Sequence, residues 1–202
     1  MPSNSADRDR QTGWGSPTRS QARLTPLELN ELPPDAKALY DELGEGTRDV
    51  NITRTLLRHP DLLRRFTEFG MYFLDDGLLP VRERELVVLR IAWLCGCEYV
   101  WGQHVALSRR EGIAEAEIER VVEGPDASAW SALDRALIRV ADELQADARI
   151  SDATWQTLAG QYDERRLLEL VFTAGQYTLI CRVANSCGIP LDAGLPGFPT
   201  RS

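Results

Sequence analysis

Three residues in the middle of the chain have side chains that could do acid–base or thiol chemistry: Glu85, Cys97 and His104. Histidine titrates closer to neutral pH than any other side chain, and a carboxylate that orients an imidazole yields an effective acid or base. Cys97 is expected at or just before the start of a helix, where unpaired amides and the helix dipole favour a thiolate. The residue types therefore predict proton transfer, thiol chemistry or both.

The spacing places Cys97 and His104 on one face of a single helix. Seven residues are nearly two turns, so the two side chains lie within about 20° of each other around the axis and about 10 Å apart along it. They can line one groove, but a third group or a substrate must bridge them. Glu85 belongs to an earlier, nearly all-apolar helix, where a buried carboxylate needs a partner, either His104 or an arginine such as Arg84 or Arg90.

Each candidate also has a purely structural explanation. Free cysteine is often a small buried apolar residue, and a single histidine in a helical stripe is often a satisfied core residue. A buried glutamate often belongs to a structural ion pair. Tyr99, Val100 and Trp101 lie between Cys97 and His104, and we expect them to form core or the wall of a substrate pocket.

The elements that position these residues are all predicted to be helices, because no segment sustains the two-residue alternation of a half-buried strand. Apolar residues recur at helical spacing between proline, glycine and serine boundaries. The predicted helical segments are 36–44, 51–77 as two helices with the second starting at Pro60, 79–96, 97–112, 114–124, 130–147, 151–161 and 163–188. They indicate one domain over 24–192, a disordered N-terminal tail over 1–23 and a C-terminal tail over 193–202.

Composition and charge exclude several classes of function. A net charge of −8 and a pI near 4.9 disfavour binding to nucleic acid or to an anionic membrane. The chain has no apolar run typical of a signal peptide or a membrane span, so we expect a cytoplasmic protein. Four cysteines without a CxxC pair, together with two histidines, predict no metal site, and no glycine-rich phosphate loop indicates a cofactor. Spacing gives Cys95, Cys181 and Cys187 no partner.

A longer pattern of residues surrounds the three candidates. Its parts are Leu79-Pro80, Arg82-Glu83-Arg84-Glu85-Leu86, Leu89-Arg90, Cys97-x-Tyr99-x-Trp101-x-x-His104 and Gly112-Ile113, with further likeness at 141–144, 152–155 and 168–177. This pattern resembles the carboxymuconolactone decarboxylase family, which includes the AhpD-like alkylhydroperoxidases, over roughly residues 25–192. The resemblance implies an all-α, AhpD-like helical bundle and a homo-oligomer based on dimers or trimers. The helices from Leu86 and from Leu167 are the candidates for the contact between subunits.

The resemblance also implies roles for individual residues. AhpD-like members use a glutamate, a CxxC pair and a histidine four residues after the second cysteine; Glu85, Cys97 and His104 match, whereas Val100 replaces the second cysteine. Decarboxylase-type members act on cyclic or keto-acid substrates through a histidine and carboxylates. The leading hypothesis is therefore acid–base chemistry on a small carbonyl acid or lactone, as in decarboxylation, isomerisation or elimination. In this hypothesis His104 is the acid or base, Glu85 orients it, and Cys97 and Trp101 line the pocket.

Two alternatives remain open from the sequence. The first is an AhpD-like thiol peroxidase that uses Cys97 with a thiol from elsewhere in the chain. The second is a catalytically inert, oligomeric relative in which Glu85 and His104 are structural.

Overall fold

Helices make up nearly all of the regular structure in the computed structural model, which describes residues 22–199. The α-helices are α1 (Pro34–Glu42), α2 (Glu45–Arg48), α3 (Asn51–Leu56), α4 (Pro60–Met71), α5 (Val81–Leu94), α6 (Glu98–Arg110), α7 (Glu115–Glu123), α8 (Ala132–Asp147), α9 (Asp152–Ala159) and α10 (Glu164–Cys187). A π-helical turn, Tyr72–Asp76, extends α4. No strand occurs among the described residues, and the predicted all-α class is confirmed.

Helix α5 is the centre of the bundle. Nine consecutive residues, from Arg84 to Ala92, are buried, which agrees with an apolar pattern on almost every face of the helix. The helix packs against α6, α7, α8 and α10. Residues 86–92 are enclosed by the other helices of the same chain, whereas Trp93 and Leu94 at the end of α5 are only partly buried.

The turn between α5 and α6 brings the candidate residues together. Gly96 adopts a φ of 58°, a left-handed conformation that favours glycine, and the amide of Cys97 donates to the carbonyl of Ala92 at 2.9 Å. Cys97 occupies the N-cap of α6, as predicted. The chain thus reverses within three residues, and α6 packs directly beside α5.

Helix α10 has a buried and an exposed face. Leu170, Ala174, Tyr177 and Cys181 are buried at helical spacing, and the helix ends at Gly188, which has a φ of 67°. By length and composition alone α10 could cross a bilayer, but 50% of its most apolar window is buried inside the protein. That burial is typical of the core helix of a globular domain.

The two ends of the described chain lie against the bundle. The expected tails, 1–23 and 193–202, fall partly outside the described residues, but the amide of Arg23 donates to the carbonyl of Cys187 at 2.8 Å. Near the other end, Phe198 packs against the rings of Trp93 and Trp101, at centroid distances of 5.3 and 5.5 Å.

Candidate functional site

A buried carboxylate on α5 connects the central residues of the site. Glu85 is fully buried, and its Oε2 lies 2.7 Å from Nδ1 of His104 on α6. Its other oxygen accepts from Nε of Arg84 at 3.0 Å. Arg84 in turn donates through Nη1 to the carbonyl of Phe73 at 2.8 Å. Both partners that the sequence offered for Glu85, the histidine and a neighbouring arginine, are therefore present at once.

Electrostatics keep the carboxylate of Glu85 ionised. Burial by itself raises the pKa of Glu85, but the charge and hydrogen bond of His104, together with those of Arg84, outweigh burial, and the net pKa lies below its usual range. An ionised carboxylate only accepts hydrogen bonds, so Nδ1 of His104 carries the proton between them. Nε2 is then the ring nitrogen that can exchange a proton with another molecule.

The ring of His104 is fixed from a second side. The ring of Tyr177 on α10 meets it edge to face, with centroids 4.7 Å apart and an interplanar angle of 89°. The imidazole is therefore oriented by Glu85 and Tyr177 before any ligand arrives. Only 8% of His104 is exposed.

His104 lies in the wall of a cavity of about 210 Å³. Helices α2, α3 and α4 form one side of this cavity, and α6 and α10 form the other, with Tyr99, Val100 and Tyr177 beside the histidine. The lining residues include no lysine, arginine, aspartate or glutamate. The cavity is therefore small and mainly apolar, and His104 is the one titratable acid–base side chain of the usual Asp, Glu, Lys, Arg and His set in its lining.

One polar group in the cavity lacks a partner. Gln176 lines the cavity from α10 and is 6% exposed, and its Nε2 has no hydrogen-bond partner among residues 22–199. Buried amide nitrogens normally donate to an acceptor. The cavity thus offers a proton-exchanging nitrogen, on His104, and an unused donor, on Gln176.

The other predicted site residues lie outside the cavity. Trp101, expected in the pocket wall, packs against Trp93 at 5.9 Å between ring centroids. Cys97 is fully buried in the core and does not line the cavity. Arg90, the other candidate partner of Glu85, instead pairs with Asp142, with Nε 2.6 Å from Oδ1.

The structure also brings together residues that sequence reasoning left apart. Cys181 on α10 is buried in the same core cluster as Cys97, and Cys95 packs against that cluster. No local spacing could have shown this, because more than eighty residues separate the two segments. Within the described chain, no group of three or more histidine, cysteine, aspartate or glutamate side chains is arranged to hold a metal ion.

Comparison with known proteins identifies the family that part of the chain resembles. The model of the carboxymuconolactone decarboxylase family matches residues 60–143 of the chain, which include Glu85, Cys97 and His104. A search of curated proteins gave no match.

Solved structures share the fold at low sequence identity. A peroxidase-related protein from Silicibacter sp. TM1040 superposes with a TM-score of 0.70 at 20% identity, over 84% of this chain and 93% of its own. An alkylhydroperoxidase AhpD core protein from Ralstonia eutropha JMP134 gives 0.69 at 22% identity, with the same two coverages of 84% and 93%. A protein of unknown function from Agrobacterium tumefaciens, placed with the antioxidant defence protein AhpD, gives 0.62 at 18%, over 68% and 95%.

These likenesses confirm the resemblance found in the sequence. Residues 60–143 match the carboxymuconolactone decarboxylase family, and the chain shares the all-helical fold of the AhpD-like proteins.

Proposed function

We propose that the protein is a cytoplasmic enzyme that moves a proton on a small, neutral carbonyl compound, with His104 as the acid–base group and Glu85 as the residue that orients it. The observation that carries the proposal is the 2.7 Å contact between Nδ1 of His104 and the buried Glu85, in the wall of an uncharged cavity. A carboxylate behind the ring fixes the tautomer and stabilises the imidazolium that forms when Nε2 takes a proton.

The cavity favours a neutral substrate over a free acid. A substrate carboxylate would lose its hydration in this cavity, and no lysine or arginine in the lining would compensate that loss. The free energy of binding an anion would therefore be unfavourable. A lactone or a cyclic ketone has one strong acceptor oxygen and otherwise apolar surface. We infer that Nε2 of Gln176, a cavity residue whose amide nitrogen has no partner, donates to that oxygen. Among the substrates suggested by the sequence, the lactone therefore fits better than the keto-acid.

The reaction then follows from the two groups that face the cavity. Nε2 of His104 removes a proton from the carbon next to the carbonyl, and the negative charge that develops on the carbonyl oxygen is stabilised by the N–H of Gln176. The imidazolium, paired with Glu85, returns the proton to a neighbouring atom. This sequence isomerises the substrate, or eliminates a group if a leaving group is present.

Deuterium exchange tests the proposal, because removal of the α-proton is the same first step whichever product forms afterwards. Lactones, cyclic ketones and keto-acids of up to about eight heavy atoms are incubated with the protein in D₂O, and loss of the α-proton signal is followed by NMR. We expect exchange for a neutral cyclic carbonyl compound, and His104→Gln should lower its rate on the order of 10²- to 10⁴-fold.

The control uses the other histidine of the chain. His59 is exposed and caps α4, where its Nδ1 accepts from the amide of Leu62. His59→Gln should leave exchange unchanged. Equal rates for the wild type and His104→Gln would show that the Glu85–His104 pair is structural and would favour the catalytically inert relative. Exchange confined to keto-acids would contradict the inferred neutral substrate.

The homo-oligomer implied by the resemblance is also proposed, with the exposed face of α10 as its contact. Leu168, Phe172 and Leu179 are exposed by 60%, 50% and 48% along this face. Their spacing of four and seven residues places them on one side of the helix. A row of large exposed apolar side chains of this kind commonly marks a protein–protein contact.

A further inference from the structure

The segment that follows α10, residues 189–198, lies in close contact with α6. We call it the C-terminal segment. Gly102 of α6 leaves room for it, because a Cβ at this position would lie 2.5 Å from Cδ1 of Leu191 and 2.8 Å from the carbonyl oxygen of Pro196. The C-terminal segment is therefore packed on the helix that carries His104.

One carboxylate joins the C-terminal segment to two helices. Oδ1 of Asp192 accepts from the backbone amide of Asn51 at 2.9 Å, and Oδ2 accepts from the hydroxyl of Tyr99 at 3.0 Å. Nε2 of Gln103 also donates to Oδ2. Asn51 is the first residue of α3, whereas Tyr99 and Gln103 lie one turn apart on α6. Asp192 thus connects the start of α3 with α6.

Two further hydrogen bonds hold the start of α3. The hydroxyl of Tyr99 accepts from the amide of Ile52 at 3.1 Å, and Nδ2 of Asn51 donates to the carbonyl of Pro190 at 3.1 Å. Burial and the charge of Asp192 raise the pKa of Tyr99, so the phenol keeps the proton that it donates. The first amides of a helix have no acceptor within the helix itself. Here Tyr99 and the C-terminal segment supply the acceptors.

Helix α3 is one wall of the cavity that contains His104. Ile52, Thr53 and Leu56 line the cavity from α3, and Tyr99 lines it from α6. The helix has only six residues, and so short a helix is not stable without contacts to the rest of the protein. Its position over the cavity therefore depends on the bonds at its first turn.

We propose that the C-terminal segment controls access to the cavity, with Asp192 as the positioning residue that holds α3 closed over His104. Without this carboxylate, α3 loses its connection to α6, and the cavity opens between the two helices. The proposal rests on the cavity being the substrate site of the proposed function. It concerns entry into the cavity and assigns Asp192 no part in the reaction.

The experiment measures how fast a small reagent reaches His104 in the full-length protein. Diethyl pyrocarbonate acylates unprotonated imidazole, and mass spectrometry follows the modification of His104 relative to the exposed His59. Iodoacetamide labelling of Cys97 and Cys181, which are both fully buried, reports in parallel whether the core has opened. Neither readout requires turnover, so a wild type without α-proton exchange leaves the test intact.

Asp192→Asn keeps the shape of the side chain and removes its charge and one acceptor oxygen. We expect His104 to be modified on the order of 10-fold faster, because loss of a hydrogen bond to a charged group changes an equilibrium by about that factor. Asn51→Ala, which removes the donor to Pro190, should act in the same direction. Asp192→Glu keeps the carboxylate and should remain close to the wild type. The matched control is Asp147→Asn, at an exposed position on α8, which should have no effect.

Two outcomes would overturn the proposal. If the rate at His104 is the same in Asp192→Asn and the wild type, the C-terminal segment does not control access. If His104, Cys97 and Cys181 all become reactive together, Asp192 stabilises the fold as a whole and has no specific effect on the cavity. Faster modification of His104 alone, with both thiols still protected, is the result that supports the proposal.

Discussion

Replacement of Glu85 by glutamine removes one charge from a fully buried network while keeping its shape. Removal of one partner from a buried ion pair typically costs 3–5 kcal/mol, because the remaining charge is left uncompensated. Here the amide oxygen can still accept one hydrogen bond, from Arg84 or from His104. We therefore expect a loss at the lower end of this range, about 3 kcal/mol in the free energy of unfolding at pH 7.

The loss should also depend on pH. The pKa of Glu85 is lower in the folded protein than in the unfolded chain, where glutamate titrates near about 4.3. Its stabilising contribution is therefore complete above that value and disappears as the pH falls through the folded-state pKa. At low pH a protonated Glu85 resembles glutamine, and the stability difference between the wild type and Glu85→Gln should shrink.

Urea denaturation at a series of pH values from 7 downward measures both effects. Glu68→Gln, a change of the same kind at an exposed position on α4, serves as the control and should differ from the wild type by less than about 0.5 kcal/mol. Nitrogen NMR of His104 gives a second readout, because the wild type should show the proton on Nδ1. A loss below 1 kcal/mol that is the same at every pH would refute the assigned network.

Two further predictions concern packing and assembly. Gly102→Ala should destabilise the protein by about 1–3 kcal/mol in urea denaturation, because its Cβ would lie 2.5 Å from Cδ1 of Leu191. Phe172→Glu should shift the protein to monomers in light scattering. The same change at Leu29, which is 49% exposed outside α10, should not; equal behaviour of the two variants would exclude α10 as the contact.

The sequence predicted the parts of the fold that depend on local rules. Pro60 and Pro80 mark the starts of α4 and α5, and Ser151 caps α9 with its side chain on the amide of Thr154. Gly96 turns the chain between the two central helices through a positive φ. These features follow from backbone sterics and end-group hydrogen bonding, which a single segment determines by itself.

The pairing of Glu85 with His104 could also be predicted from the sequence, but the residues that surround this pair could not. A carboxylate on an all-apolar helix requires a partner, and that requirement pointed from Glu85 to the histidine. The second wall of the cavity and the Cys181 thiol depend on how distant helices pack, which no local pattern encodes. The sequence did contain a weak indication for Gln176, because an uncharged polar side chain on the buried face of an apolar helix needs a hydrogen-bond partner.

The packing of Phe198 against two indole rings couples the position of the end of the described chain to tryptophan fluorescence. Trp93 and Trp101 lie on α5 and α6, close to the turn that carries the cysteines, and the phenyl ring of Phe198 meets them both. Undocking of this segment would expose the indoles to water and move their emission to longer wavelength. Intrinsic fluorescence can therefore follow the docking of this segment on the bundle without a label.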